Sequence, residues 1–533
     1  MLYKIDHIQV PVDFDEGRLS QWIEKKLKLP AGSIIRTEIA RKSLDARYKR
    51  LSFIYSVIFA VNLADSAMET VLEGHPEVKA YQLPERRPVN RIGRKGLRPV
   101  IVGAGPAGLF AGLRLAEAGM EPLIIERGDG LIRRIEAVER FWYHGILDPE
   151  SNIQYGVGGA GTFSDGKLTT RVKNPAIPEL LELLVDAGAP PEIRYWQYPH
   201  VGTDRLREVI DNLQKRIIDY GGEIRFRHRL TGISCDNKVL NAVEINGQEI
   251  IPADCLILAT GNSARDIYRM LYRLQFPLEA KAFAVGVRIE HPQDLIDRAQ
   301  YGPWAGHRRL GPAEYHLTYK HALTGKGVYT FCMCPGGVVV GAASEPGGVV
   351  TNGMSYHARD SKVANAAIVA TVTEKDYGDH SPLAGMEYQI ALEQAAYRYG
   401  GNNFMAPAQR VGDFLKEEPT SEFTKLSPSY LPGTMPANLW DVLPRPIAMA
   451  IRDGIRFFGT RLKGFDWPDA VLTVVETRTS APVRIVRGED LQAVGYEGIY
   501  PCGEGAGYAG GIVSSALDGW KVADRIIDRR RMY

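Results

Sequence analysis

An apolar run, Pro99-Val100-Ile101-Val102, passes directly into Gly103-Ala104-Gly105-Pro106-Ala107-Gly108. No other stretch restricts the fold of this chain so strongly. A buried strand that ends in glycines and opens a helix is the geometry of a dinucleotide cradle. Gly103 permits the tight turn out of the strand, Gly105 lets the backbone approach a pyrophosphate, and Gly108 lets the helix pack closely on the sheet. Pro106 suits the first helical turn, where a missing N–H costs nothing. The helix start then offers free N–H groups and a partial positive charge to phosphates. All six residues, Ala104 and Ala107 included, are expected at the cofactor. Gly112 and Gly119 continue the close-packing pattern, with Gly119 placed to end the helix. Leu123-Ile124-Ile125 reads as the next strand, and Glu126 stands at its end. There a carboxylate accepts hydrogen bonds from adenosine ribose hydroxyls. Arg127 joins the expected cofactor set. The acid at 126 disfavours a 2′-phosphate but does not by itself separate FAD from NAD.

The C-terminal end of the chain makes that separation. Gly498-Ile499-Tyr500-Pro501-Cys502-Gly503-Glu504 reads as a strand ending in Gly-Glu, and Gly510-Gly511 opens a helix over Ile512–Ile527. Ile512, Ala516, Trp520, Ala523 and Ile527 form one stripe of that helix. This resembles the second FAD signature of glutathione-reductase-like flavoproteins, where Asp more often stands in place of Glu504. The resemblance implies Glu504 on the ribitol hydroxyls and the helix start near Gly511 and Ile512 at the flavin pyrimidine edge. A helix N-terminus there stabilises the negative charge that accumulates on flavin reduction. Between the two motifs lies Tyr155-Gly156-Val157-Gly158-Gly159-Ala160-Gly161-Thr162-Phe163-Ser164-Asp165-Gly166-Lys167. Its glycines, Gly159 and Gly161 among them, allow close backbone approach, and Thr162, Ser164 and Lys167 offer donors to phosphate or flavin oxygens. It is similar to the Gly-Gly segment with which these flavoproteins pass the isoalloxazine ring. Leu230, Thr260 and Gly261 complete the expected cofactor contacts.

With these segments the chain resembles the bacterial FAD-dependent dehydrogenases known as NAD(FAD)-utilising dehydrogenases. The resemblance covers nearly the whole chain. It includes Arg41-Lys42-Ser43-Leu44-Asp45-Ala46-Arg47, Gly161–Thr170, Ala259–Asp266, Gly286–Pro292, Phe331–Gly337, Glu476–Ser480 and Gly503–Gly511. Asn262 and Thr479 vary slightly from the family pattern. The family implies a flavin oxidoreductase and specifies no substrate.

A chain of 533 residues exceeds one compact core, so two or three domains are expected. The fold class expected is α/β: a glutathione-reductase-like FAD-binding Rossmann domain, an inserted α+β substrate domain and an N-terminal ferredoxin-like βαββαβ domain. Strand signals at Tyr3–Val12, Ile34–Ala40, Leu51–Val61 and Val78–Leu83, with helices over Leu19–Leu27 and Ala64–Glu73, assign residues 1–83 to the last of these. Residues 84–98 read as a basic linker, 99–276 and 471–533 as the two parts of the FAD domain, and 277–470 as the insertion. Within the FAD domain, Leu206–Ile218 reads as an amphipathic helix and Ile224–Ile233 as a strand. Val239–Ile245 and Gln248–Pro252 read as a hairpin over Asn246-Gly247.

Net charge is only +2, which gives no global case for nucleic acid or membrane. Arg41, Lys42, Arg47, Lys49 and Arg50, with Arg86, Arg87, Arg91, Arg94, Lys95 and Arg98 of the linker, are the local exception. A solvated tether is the preferred reading, and contact with nucleic acid or an acidic partner the alternative. Five cysteines do not read as a disulfide framework, and the expected compartment is a reducing cytoplasm. The N-terminus lacks a signal-peptide core. No His/Cys cluster has metal-site spacing.

Catalytic candidates are Lys167, as a cation favouring reduced flavin, Arg288 and Arg478 as anchors for an acidic substrate, and His291 and Glu476 as proton carriers. A structural ion pair between domains is the competing reading of the last four. Cys332 and Cys334 would share one face of a strand and read as buried structural cysteines. No second GxGxxG stands on a strand-helix unit, so NAD(P)H would act only as a transient electron donor. The leading expectation is an FAD-dependent oxidoreductase moving a hydride between flavin and a small organic substrate. An RNA-linked flavoprotein modifying a nucleobase, and a flavin-binding scaffold or sensor, are the alternatives. The sequence does not specify the oligomeric state.

Overall fold

The computed structural model describes residues 1–46, 51–83, 89–94 and 96–532. Of the basic positions singled out above, Arg47, Lys49, Arg50, Arg86, Arg87 and Lys95 lie outside the described residues.

The N-terminal elements run β1 (Leu2–Pro11), α1 (Leu19–Leu27), β2 (Ile34–Asp45), β3 (Ser52–Val61), α2 (Asp65–Gly74) and β4 (Val78–Tyr81). They form a four-stranded antiparallel sheet in the order β2-β3-β1-β4. Alternation points Tyr3 and Ile5 inward, and a bulge between Ile5 and Ile8, with His7 at φ +62°, keeps Ile8 and Val10 on the same side. The sheet core extends onto Trp196, Tyr301 and Trp304 of the rest of the chain. Lys42 is part of that seam. Its ammonium pairs with Glu16 at 2.6 Å and lies 4.7 Å from the Trp196 ring centroid, so it is committed inside the fold.

The central sheet is built from β5 (Val100–Val102), β6 (Leu123–Glu126), β7 (Glu223–Phe226), Leu256–Leu258 and Ile499–Pro501. All four pairings are parallel, and the spatial order is 499–501, 256–258, β5, β6, β7. The strands are short, and the inner β5 and Leu256–Leu258 are apolar throughout, as sheets covered on both faces require. One face packs on α3 (Pro106–Glu117) and the terminal helix Ile512–Arg531. The other packs on a three-stranded antiparallel sheet and the helix Arg265–Arg273.

The stretch 224–233, expected as one strand, is two. The chain breaks at Arg227, with φ +58°, and Leu230–Asp236 joins the antiparallel sheet instead. Pairing drives the break: β6 is only four residues long, so β7 runs out of partner at Phe226. The hairpin between Val239–Ile245 and Glu249–Pro252 turns at Asn246-Gly247, both left-handed.

A seven-stranded sheet holds the rest. Its order is 318–320, 327–334, 363–372, 283–292, 471–476, 406–410, 434–436. Val471–Glu476, expected to begin the return to the cofactor domain, is a central strand here, paired with both Phe283–Pro292 and Ala406–Arg410. It is buried along its whole length, so periodicity alone cannot assign it to either sheet. No described helix is long and apolar enough to cross a membrane.

Candidate cofactor site

Glycines set the shape of the site, and several have no alternative. Gly103 turns with φ +104°, and a Cβ there would lie 2.3 Å from the Ala259 carbonyl oxygen. A Cβ on Gly108 would lie 1.8 Å from the Gly103 carbonyl oxygen, so α3 contacts the strand end at backbone distance. Gly519 brings the terminal helix equally close to α3, its hypothetical Cβ being 2.2 Å from the Ala107 oxygen. Phe110 and Trp520 add an edge-on ring contact at 5.9 Å. The start of α3 therefore lies against the terminal helix about two turns past that helix's own start, with Gly105 capping one and Gly511 the other.

The segment 158–163 spans both starts. Gly158 N–H donates to the Ala104 carbonyl at 2.7 Å. Gly159 faces Gly105 and Pro106, and Gly161 faces the Ile512 side chain. Neither helix start has a side-chain cap, so first-turn N–H groups of both remain available to an anion. Around them Gly261, Gly510 and Gly511 have open space where a Cβ would be.

Two buried charges hold this cradle. Glu126 accepts from Ala104 N–H at 2.8 Å and from Gly128 and Gly156 N–H at 2.9 Å each. A carboxylate offers about four lone-pair sites, so one remains for a ribose hydroxyl. Arg134, absent from the sequence-based candidates, does the converse for carbonyls. It lies on α4 (Leu131–His144) and is completely buried. Its guanidinium donates to the carbonyls of Asn152, Ile153, Gly156, Val157 and Gly159 and to the Thr162 hydroxyl. Burial draws its pKa down to about 9, which Glu126 opposes. An arginine at a buried position of an amphipathic helix was the available sequence signal.

Several expected cofactor donors are used inside the fold. Thr162 is fully buried between Arg134 and the Val157 carbonyl. Ser164 donates to the Gly161 carbonyl and accepts from Gly166 N–H. Arg127 pairs with Glu150 and Asp266 and stacks on Tyr155. Leu230 is buried in the core on the far face of the sheet. Thr260 is half-buried beside Gly261. Glu504, just after Gly503, accepts from Asn262 Nδ2 at 2.8 Å, and burial lifts its carboxyl to about 7 against that bond and Lys281.

The catalytic candidates fall into three separate places. Lys167 donates to the Met333 carbonyl and to Glu314, within a buried cluster that includes Asp165 and Arg359. Arg288 is buried 3.8 Å from Glu476 and donates to the Cys332 carbonyl at 2.8 Å. Burial lifts Glu476 to about 7, only partly offset by Arg288. Met333 and Cys332 thus bring Lys167, Arg288 and Glu476 to one neighbourhood. His291 is elsewhere: it is buried against Phe465, bonded to that residue's carbonyl, and burial draws its pKa to about 4. Arg478 is also elsewhere, clamped with Arg265 on Glu393, a carboxylate held down to about 2 by the two guanidiniums in spite of burial. Alternation along a strand put His291 next to Arg288 in sequence but on the opposite face of the sheet.

Comparison with known proteins agrees with this geometry. Residues 282–479 match the family "FAD-dependent protein, C-terminal domain-like", and residues 101–158 match "NAD(P)-binding Rossmann-like domain". Residues 2–60 match a domain of unknown function. FAD is thus the cofactor of this chain. The chain belongs to one family with an uncharacterized protein of Clostridium beijerinckii (strain ATCC 51743 / NCIMB 8052), to which it is 46% identical over 533 residues, covering 99% of each chain. Among solved structures it is similar to the halogenase PltM, at 13% identity and TM-score 0.37 over 82% of this chain and 70% of that one. It is also similar to CtdE in complex with FAD, at 12% identity and TM-score 0.31 over 81% and 84%. At these scores the two likenesses carry no argument about this chain.

Proposed function

We propose that this protein is an FAD-dependent oxidoreductase, a dehydrogenase in the broad sense, that moves a hydride between its flavin and a small organic substrate. The observation that carries the reading is the convergence of two uncapped helix starts, at Gly105 and Gly511, along the segment Gly158–Phe163. Such a pair suits a long dinucleotide, with phosphates at one start and an electron-rich ring edge at the other. When bound, FAD supplies a two-electron carrier. The residues of the chain do the rest. Glu126 and Arg134 hold the cradle open, and Gly105 and Gly159 admit the pyrophosphate without side-chain bulk. Glu504 and Glu476, both lifted by burial to about 7, can hold or release a proton near neutral pH. Arg288 supplies positive charge beside Glu476, with Lys167 near the same cluster.

In this reading residues 1–83 form a ferredoxin-like domain and the seven-stranded sheet is the platform for substrate. The core around the cradle is glutathione-reductase-like. NAD(P)H is a transient donor at most, because no second GxGxxG stands on a strand-helix unit of the sequence. The test is anaerobic reduction of the flavin in the purified protein, comparing NADH, NADPH and a panel of metabolites. Bleaching of the oxidised-flavin absorbance by one of them, reversed by an acceptor, is expected. Flavin that no member of the panel reduces, although dithionite does, argues instead for a binding scaffold.

A further inference from the structure

We propose that Cys332 and Cys334 form a redox-active dithiol that closes to a disulfide by exchange with a low-molecular-weight disulfide. The proposal is independent of which substrate the flavin serves. The strand Gly327–Cys334 departs from regular pairing at these residues. Phe331 stands opposite Ala367 and Cys334 opposite Asn365, so three steps along one strand face two along the other. Cys332 is left-handed, with φ +45°. A non-glycine residue is strained there, and such residues gather at functional sites. Here Arg288 holds it, through the 2.8 Å bond to the Cys332 carbonyl, and Cys334 Sγ lies 3.4 Å from that same oxygen.

In a regular strand, thiols two residues apart suit a disulfide poorly, because alternate Cα atoms stand roughly 6.6–6.8 Å apart, near the far end of the range that a disulfide spans. A bulge re-aims the side chains it displaces, and here Cys334 Sγ turns back toward the Cys332 carbonyl. None of the five cysteines is in a disulfide.

The surroundings select the nucleophile. The neighbouring Cys334 thiol draws the Cys332 thiol down to about 6 against burial, with Arg288 and Lys167 adding positive charge and Asp165 opposing. Cys334 is pushed well up in turn. Glu476 from the strand Val471–Glu476 and Tyr315 also face this cluster. Cys332 is half-buried and Cys334 fully buried, so an external reagent meets Cys332 first. The Cys332 thiolate attacks one sulfur of RS–SR, the S–S bond breaks and RS⁻ leaves. Cys334 then gives up its proton, and its sulfur displaces the second RS⁻ from Cys332. Two electrons pass from the dithiol to RS–SR, which departs as two thiols. Met333, between the pair, accepts from Lys167, four residues beyond the segment that spans the two helix starts.

The test uses the holoprotein, equilibrated with reduced or oxidised glutathione, quenched in acid, denatured, alkylated and weighed. In oxidised buffer the chain is expected to lose two alkylatable thiols and to give a peptide joining Cys332 to Cys334. Cys334→Ser is expected to stop at a glutathione adduct on Cys332, and Cys255→Ser to behave as wild type. Full alkylation of both thiols after oxidation, in a chain that retains its flavin spectrum, overturns the proposal. So does a stable glutathione adduct on wild-type Cys332. The readout is a mass, so failure of the flavin to turn over any substrate leaves it interpretable.

Discussion

Replacing Arg134 by lysine keeps the charge and removes the geometry. The guanidinium makes six hydrogen bonds, five of them to backbone carbonyls of residues 152–159. A lysine ammonium has three donors, so at least three of these six bonds are lost, although the Gly156 and Val157 carbonyls keep second donors in Gly159 N–H and the Thr162 hydroxyl. A lost hydrogen bond costs about 1 kcal/mol net, giving about 3 kcal/mol for three. The side-chain stem also packs on Gly156, whose hypothetical Cβ would lie 2.3 Å from Arg134 Cδ, so the loop cannot simply shift inward. If that cost falls on the ordering of the Gly156–Gly159 turn, FAD affinity drops about 100-fold, at tenfold for every ~1.4 kcal/mol. Titration of apoprotein with FAD, followed by flavin fluorescence, measures the change, and thermal melts of apo and holo forms show how much is global. An Arg134→Lys protein that binds FAD as wild type does and melts at the same temperature would refute the role given to this residue.

Gly108→Ala is expected to abolish flavin retention, because its Cβ would overlap the Gly103 carbonyl; a yellow purified variant contradicts this. Glu393→Gln leaves Arg265 and Arg478 without their buried carboxylate, with the more exposed Glu345 as the remaining acid near both. A destabilisation of about 3–5 kcal/mol follows, read from the shift of the denaturant midpoint. His291 gives a pH signature. Its folded pKa, drawn by burial to about 4, lies below the free value of about 6.5, so the unfolded chain binds more protons between the two. Its contribution to stability is complete above the free value and is lost as pH falls toward 4, up to about 3 kcal/mol in all. His291→Gln, which cannot titrate, should therefore lose less stability than wild type between about pH 7 and pH 5. Parallel pH profiles for the two proteins would count against the assignment. Glu504→Ala should weaken FAD binding while leaving the apoprotein melt close to wild type, since Asn262 is its sole side-chain partner among the described residues.

Local patterns in the chain sufficed for the cradle, because every requirement there acts through neighbouring backbone. Gly103, Gly105 and Gly108 each answer a steric demand made within a few residues, and the structure shows those demands as hypothetical Cβ distances. The N-terminal element order and the hairpin at Asn246-Gly247 were legible for the same reason: period-two alternation and turn chemistry are short-range signals. What the side chains touch was decided elsewhere. Thr162 and Ser164 offered donors that fit a cofactor, yet each was nearer to a carbonyl of its own loop. Arg478 and His291 looked like neighbours of Glu476 and Arg288, and the sheet placed them in other clusters. Arg134 gave little sign of itself, since its partners lie 18 to 28 residues away. The buried strand Val471–Glu476 could have belonged to either sheet, and pairing with Phe283–Pro292 assigned it. Glycine positions and alternation are properties of the chain itself. Partner choice among buried polar groups is a property of the packed molecule, because an unpaired one costs more than any local preference can offset.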